Sequence, residues 1–198
     1  MKALTSRRRA MMAVSTEKRY TAEQIAQRTA PQRSVTLEAA AYPSYALYKR
    51  DSLTQIVFPN LSYAPERLAA ENANLTRVIA QKAANLGLCA FAYNPKLQCV
   101  DILGAAGGCM GSLNFASNPC LEVLIIRTTG GVYLPNVNSF QGSASSGKPL
   151  QVYVPAALRP SYEDSGTNGN WAALLSAGSV VFRELENSAY ENLNWWRN

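Results

Sequence analysis

Residues 64–87 carry the strongest helix pattern of the chain and read APERLAAENANLTRVIAQKAANLG. Proline is tolerated in the first turn of a helix, and Pro65 stands where that turn would begin. Gly87 suits the position just after the end of a helix. The apolar residues between them recur at helical spacing, at Leu68, Leu75, Ile79, Ala83 and Leu86. This pattern predicts an amphipathic helix of about twenty residues that packs one face on a core.

Short apolar segments that follow this helix are typical of β-strands. They are residues 97–103, 120–126, 150–154 and 179–185. Residues 128–131 read TTGG and predict a tight turn that folds the second of these strands into a hairpin with Val132. Residues 171–176 predict a short helix. We therefore expect an α+β fold, in which residues 64–198 form a small globular domain with one long helix and several short strands.

The positive charge of the chain lies in its N-terminal part. The 19 Lys and Arg and 13 Asp and Glu residues give a net charge of +6, and residues 1–50 hold ten of these cations and three of these acids. Residues 1–16 contain Arg7, Arg8 and Arg9 and no acid, which is typical of an organelle transit peptide. A basic arm that binds nucleic-acid phosphates is the alternative interpretation. No membrane span is expected, because the chain has no run of about eighteen apolar residues.

Residues 17–63 form an extension in which aromatic, basic and proline residues are mixed. Within it, residues 42–63 combine several tyrosines with Lys49, Arg50 and Pro59. Prolines interrupt regular structure, and Tyr and Arg are enriched at protein interfaces. We predict that residues 42–63 are an extended docking segment, with a packed irregular loop as the alternative. Trp195 and Trp196 are costly to expose and are expected to dock on the core or on a partner.

The chain contains no histidine, which decides against most catalytic chemistry. Ser-His-Asp and Cys-His catalysis are excluded, and the usual general base near neutral pH is missing. Residues 142–148 read GSASSGK and match the glycine and lysine spacing of a phosphate-binding loop. Pro149 follows, however, where that loop requires a magnesium-binding hydroxyl. We therefore expect no enzyme, and no catalytic residue is predicted.

Four cysteines, separated by nine, nine and ten residues, are the remaining chemical feature: Cys89, Cys99, Cys109 and Cys120. A structural zinc site needs two close pairs, so this spacing does not predict a metal site. The residues alone leave three interpretations open: buried thiols, two disulfides or covalent attachment of a prosthetic group.

The Arg-rich start, the basic Tyr-rich segment, the lack of histidine and four cysteines beside aromatic residues together resemble one known family. This family is the chromophore-bearing rod linkers of red-algal phycobilisomes, the phycoerythrin gamma subunits and their relatives. The resemblance is one of layout over residues 10–198. It implies a non-catalytic linker or structural subunit of a light-harvesting assembly, at the stromal face of the plastid thylakoid. It further implies docking in acidic ring-shaped hexamers, without nucleic acid.

The resemblance also implies a cofactor site made of the four cysteines and Asp101. A thiol would carry a linear tetrapyrrole, phycoerythrobilin or phycourobilin, as a thioether, with Cys99 and Cys89 ranked ahead of the other two. Asp101 would accept hydrogen bonds from the pyrrole N–H groups, and Lys96 or Arg127 would pair with a propionate.

Two other classes of protein stay open. A supernumerary structural subunit of a mitochondrial or plastid complex would share the targeting segment but would carry no pigment. A viral coat or cement protein would use the basic residues 7–9 as a nucleic-acid arm. Visible absorbance identifies the pigment-bearing class, and assembly into particles identifies the coat protein.

Overall fold

The computed structural model describes residues 34–102, 108–144 and 147–197. Two short α-helices, α1 Arg159–Glu163 and α2 Trp171–Ser176, lie near the C-terminus. None of the helices in this described part is long and apolar enough to cross a membrane. Short 3-10 helices lie at Val137–Phe140, Ala156–Leu158 and Trp195–Arg197. The β-strands of the same residues are β1 Ser34–Thr36, β2 Gln55–Val57, β3 Tyr63–Ala64, β4 Arg77–Ala80, β5 Asn85–Leu86, β6 Cys99–Ile102, β7 Cys109–Met110, β8 Val123–Ile126, β9 Leu150–Val154 and β10 Val180–Glu184.

The strands form two parallel sheets. The large sheet has the order β1-β2-β4-β6-β8-β9-β10, and the small sheet has the order β3-β5-β7. Within the large sheet, Gln55 lies beside Arg77, and Arg77 lies beside Cys99. Each strand therefore pairs with the equivalent strand one turn later in the chain. Such stacking of repeated turns is a parallel β-solenoid.

Side chains of the large sheet alternate between its two faces. The inward face contributes one fully buried apolar row to the core: Ile56, Val78, Val100, Leu124 and Val152. A column of rings fills the far side of the core, with neighbouring centroids 6.0, 5.4 and 5.7 Å apart along Phe91, Phe115, Phe140 and Trp171. Each fully buried side chain of this size contributes about 1.5–3 kcal/mol, so this core stabilises the stack of turns.

Asparagines hold the turns together on the side opposite the large sheet, which we call the turn side. The Asn94 side-chain oxygen accepts from the Asn72 backbone N–H at 2.8 Å, 22 residues away. The Asn118 oxygen accepts in the same way from the Asn94 N–H at 2.7 Å. The amide of Asn94 also donates to the carbonyls of Ala69 and Phe91. Because these asparagines are fully buried, they satisfy backbone groups that have no access to water.

Two columns of residues on the turn side have left-handed backbone conformations. Arg67 and Glu71 in one turn have φ of 48° and 57°, although neither is glycine. The first column is Tyr45, Arg67, Cys89 and Leu113, and the second is Lys49, Glu71, Tyr93 and Ser117. These residues bend the chain twice in each of four successive turns.

The predicted long helix is wrong, and with it the predicted α+β fold class. Residues 65–86 instead cover the turn after β3, strand β4 and strand β5. A right-handed helix cannot pass through left-handed residues at Arg67 and Glu71. The apolar residues of the predicted helix face are indeed buried. Four of them enter the core from bends and from β5, namely Leu68, Leu75, Ala83 and Leu86, whereas Ile79 lies on the outward face of the large sheet, in register with Asp101.

The predicted hairpin around residues 128–131 is also wrong. Strand β8 pairs in parallel with β6 on one side and β9 on the other. Other elements are confirmed: α2 spans the predicted residues 171–176, β9 spans 150–154, and β6, β8 and β10 lie within the other predicted strands.

Residues predicted to precede the globular domain are partly folded into it. Strands β1 and β2 lie in the same sheet as β4, and the predicted domain boundary at Ala64 falls within β3. Tyr42 and Phe58 from the predicted docking segment are buried, whereas Tyr45 and Tyr63 are exposed. The predicted targeting segment, residues 1–16, lies outside the described residues.

Candidate functional site

Asp101 lies at the middle of the outward face of the large sheet, on the central strand β6. Its carboxylate is completely buried. The Arg127 Nε donates to Asp101 Oδ1 at 2.8 Å, and Arg127 Nη2 donates to Oδ2 at 3.0 Å. Gln81 Nε2 donates at 2.8 Å, and the Trp195 indole N–H donates at 2.7 Å, both to Oδ2. Both carboxylate oxygens are thus occupied by the chain itself.

Arg127 is nearly as buried as Asp101, with 7% of its side chain exposed. The Arg127 guanidinium also donates to the carbonyls of Tyr190 and Glu191, at 2.5 and 3.2 Å. A bidentate pair with satisfied surroundings is the arrangement in which two buried charges are tolerated. The pair therefore depends on the segment that supplies these carbonyls.

That segment is residues 186–197, which we call the strap. After β10 it turns back across the outward face of the large sheet. Its backbone carbonyls at Leu193 and Trp196 accept from the side chains of Gln81 and Arg77, at 2.9 and 3.3 Å. The Arg77 guanidinium also lies 5.1 Å from the centre of the Trp195 ring. The predicted docking is confirmed for Trp195, which packs on the outward face of the protein's own sheet, whereas the Trp196 indole bonds to Leu193 within the strap.

An apolar cluster lies between the strap and the sheet. Cys99, Ile125 and Leu185 are its buried members. The Tyr190 ring packs edge-on against Tyr153 and Trp195, with centroid distances of 4.8 and 4.9 Å. Burial raises the pKa of the Cys99 thiol to about 12, and the neighbouring Asp101 charge adds to this effect. Cys99 is therefore a neutral, weakly reactive thiol while the strap is in place.

The four cysteines of the predicted cofactor site lie in four different settings, and all are free thiols. Cys89 is buried on the turn side, where burial raises its pKa. Cys99 lies under the strap, Cys109 is half-buried in β7, and Cys120 is exposed.

The charged residues of the predicted cofactor site already have partners. Asp101 and Arg127 pair with each other, and Lys96 Nζ donates to Asn74 at 2.7 Å. A pyrrole could approach Asp101 only after Trp195 and Gln81 had left. No group of three His, Cys, Asp or Glu side chains that could hold a metal ion occurs among the described residues.

A separate cluster, which we call the aromatic–basic patch, lies at the surface of the turn side and consists of Tyr45, Tyr48, Lys49 and Arg67. The Tyr45 and Tyr48 rings meet edge-on at 5.5 Å, and Arg67 lies 6.0 Å from the Tyr45 ring centre. Lys49 Nζ lies 5.1 Å from the Tyr48 ring centre, with 60% of its side chain exposed. Backbone bonds to the next turn hold the patch, since the Tyr45 N–H donates to Glu66 and that of Lys49 to Ala70. These aromatic and cationic groups are thus presented on rigid backbone.

Neither the residues that the strap contacts nor the repeated turns were predicted from the sequence. Gln81 and Tyr190 were not predicted as site residues, and Trp195 was predicted to dock without a named partner. The repeat had a visible signal, because buried asparagines recur at Asn72, Asn94 and Asn118. No sequence signal indicated where the strap docks, because Trp195 and Asp101 are 94 residues apart in the chain.

Comparison with known proteins identifies the fold and nothing more. No family model matches the chain, and no curated protein matches it. The fold is similar to that of a leucine-rich repeat protein. That solved structure, from Bacteroides ovatus, has 16% sequence identity and a TM-score of 0.52. The match covers 78% of this chain and 36% of the other, so this chain spans about a third of the length of that protein. The similarity agrees with the stacked turns and parallel strands described above.

Proposed function

We propose that the protein is a non-catalytic structural subunit that docks on other subunits of a large assembly through its aromatic–basic patch. The observation that carries the proposal is the ordered exposure of Tyr45, of which 46% is accessible, beside the cations of Lys49 and Arg67. Tyrosine and arginine are the residues that most often supply binding energy in protein interfaces. A rigid patch also loses little conformational entropy on binding.

The chemistry of the patch favours an acidic partner. Two carboxylates offset part of its charge: Glu71 lies 3.4 and 3.2 Å from Lys49 and Arg67, and Glu66 accepts from the Tyr45 hydroxyl at 3.1 Å. The Lys49 ammonium is an exposed cation with three N–H donors, and those not used by Glu71 are suited to a partner carboxylate. The acidic ring-shaped hexamer of a light-harvesting rod, which the phycobilisome resemblance implies, is the partner that we propose. A plastid location belongs to the same proposal.

Binding to such a hexamer is the direct test. The full chain would be titrated onto a purified phycobiliprotein hexamer by surface plasmon resonance, at low and high salt. Lys49→Glu and Tyr45→Ala should each weaken binding about tenfold, and salt should weaken binding of the unchanged protein. Lys82→Glu is the matched control, because Lys82 is also exposed and its ammonium donates to the polar side chain of Asn60. Equal affinities for Lys49→Glu and Lys82→Glu, or no binding at all, would refute this docking mode.

Covalent pigment attachment is a second candidate function, for which the exposure of Cys120 is the favourable observation. A bilin needs an accessible thiol, and the two cysteines ranked first from the sequence are buried. Protein from its native source would be digested, and the peptides measured for visible absorbance and added mass. A coloured peptide containing Cys120 would support pigment attachment, whereas four unmodified cysteines would leave a subunit without pigment.

A further inference from the structure

We propose that the outward face of the large sheet is a peptide-binding site, and that the strap of a second copy of this chain is its partner. In the single chain the strap occupies this face in cis. In the exchanged form, two copies swap straps, and each Asp101 is completed by the partner copy's tryptophan. This interface is separate from the aromatic–basic patch and independent of the proposed function.

The strap binds through groups that do not depend on its connection to the same chain. It supplies backbone carbonyls to Arg127, Gln81 and Arg77 and one indole N–H to Asp101. These hydrogen bonds join residues separated by 63 to 119 positions in the chain. A strap from another copy would therefore make the same bonds in the same geometry.

The outward face of the large sheet requires a segment that offers backbone carbonyls as acceptors and an N–H donor. Without the strap, Asp101 would lose one of its donors and Arg127 would lose two carbonyl acceptors. Cys99, Ile125 and Tyr153 would become an exposed apolar surface. The strap is the segment whose fit to this face the structure shows, and a second copy of the chain carries the same segment.

The connection between β10 and the strap is a single tight turn. The Ser188 N–H donates to the Leu185 carbonyl at 3.2 Å, and the Asn187 N–H donates to Glu191 at 3.1 Å. Asn187 has φ of 62°, in the left-handed region. Opening this one turn would carry the strap away from its own face. Short hinge turns of this kind are the usual site of domain swapping.

A short connection favours the cis form at low protein concentration. A segment joined to its binding site by a short linker has an effective concentration at that site in the millimolar range. Exchange should therefore dominate only when the turn is prevented from closing or the protein is very concentrated. Two reciprocal straps give a closed dimer, in which the same surfaces are used on both copies.

The test is a pair of substitutions at the turn. Proline cannot adopt the left-handed conformation of Asn187, whereas glycine adopts it freely. Asn187→Pro should shift the full chain from monomer to dimer in size-exclusion chromatography with light scattering, and Asn187→Gly should remain a monomer. Alkylation of Cys99, followed by peptide mass spectrometry, reports whether the face is covered. Cys99 should stay protected in the Asn187→Pro dimer.

A further substitution shows whether the dimer depends on the strap. Adding Trp195→Ala to Asn187→Pro should abolish the dimer and raise Cys99 alkylation, whereas adding Trp196→Ala should do neither. An Asn187→Pro monomer, with Cys99 either exposed or protected, would overturn the proposal.

A synthetic peptide gives an independent measurement if Asn187→Pro fails to fold. A fluorescent peptide of residues 186–197 should bind the full-length Trp195→Ala protein saturably and restore the protection of Cys99. The same peptide with alanine in place of Trp195 should bind at least tenfold more weakly. Failure of the unchanged peptide to bind would show that the face does not accept the strap in trans.

Discussion

The two sides of the solenoid are stabilised in different ways. On the turn side, each buried asparagine bonds to its own or an adjacent turn, so that Asn72, Asn94 and Asn118 repeat one local arrangement. On the sheet side, Asp101 collects donors from residues 20, 26 and 94 positions away. Contacts between neighbouring turns add up approximately, whereas groups that share one network do not. The comparison predicts graded, local effects of mutation on the turn side and coupled effects on the sheet side.

The largest effect is expected at Asp101. Asp101→Leu should lower the free energy of unfolding by about 3–5 kcal/mol, because it leaves the Arg127 charge buried without its partner. The double variant Asp101→Leu with Arg127→Leu should lose less than Asp101→Leu alone, since neither member of the ion pair is then left buried without its partner. Urea unfolding measures the stability of the double variant and of each single variant, Asp101→Leu and Arg127→Leu. If the double variant lost the sum of the two single losses, the sheet side would not be a coupled network.

A smaller effect is expected at Asn94. Asn94→Ala removes the acceptor of the Asn72 N–H and the donor to two carbonyls, and should cost about 2–3 kcal/mol. Asn74→Ala, at an asparagine with a bond on the surface, should cost less than about 1 kcal/mol. Hydrogen exchange should show faster opening only in the turns beside Asn94. Faster exchange that extended to the strap would contradict the local character of the turn side.

Removing Trp195, which anchors the strap, should lower global stability even less than Asn94→Ala, but it should clearly increase local opening of the strap over Cys99. Trp195→Ala should increase the rate of Cys99 alkylation about tenfold, which corresponds to about 1.4 kcal/mol less favourable closure of the strap. Alkylation of Cys89, which is buried on the turn side, should not change. Trp196→Ala is the matched control, because the Trp196 indole bonds within the strap to Leu193. Similar rates for the two tryptophan variants would disprove the anchoring role of Trp195.

The smallest effect is expected from alkaline pH. Burial raises the pKa of the Cys99 thiol to about 12 in the folded protein, above its value in the unfolded chain. The unfolded state therefore loses its proton first, and stability that is fully present below pH 9 falls as the pH rises towards 12. Cys99→Ala should reduce this loss between about pH 8 and 9.5 by about 1 kcal/mol. Cys120→Ala, at the exposed Cys120, is the control variant. The measurement is the urea midpoint of the two variants at each of the two pH values.

The sequence allowed several strands to be predicted, but not the way in which they combine. The β-branched runs in β6, β8 and β9 are short and bounded by turn residues, so they were recognisable. Leu68, Leu75 and Leu86 fit a helix face equally well as inward positions of successive bends and strands, and periodicity alone could not separate a helix from strands. The recurrence of asparagine at Asn72, Asn94 and Asn118, at intervals of 22 and 24 residues, would have decided the question.

The candidate site was less predictable than the fold. Asp101 and Arg127 were both singled out, but as groups for a pigment, because the residues that occupy them are distant in the chain. Nothing near Asp101 in sequence indicates that Trp195 will cover it. Long-range contacts of this kind depend on the stacking of all intervening turns, and a local pattern does not contain that information.

The left-handed columns on the turn side offer a route to a more thermostable protein. A left-handed conformation costs an ordinary residue about 1–2 kcal/mol, and asparagine tolerates it better than most. Leu113 and Ser117 occupy such positions in one turn, with φ of 57° and 56°. Asparagine at the exposed Ser117 would relieve this backbone cost without touching the core. The equivalent position of the preceding turn, Tyr93, is also exposed and lies outside the aromatic–basic patch, so the melting temperature should rise stepwise as these two positions are replaced.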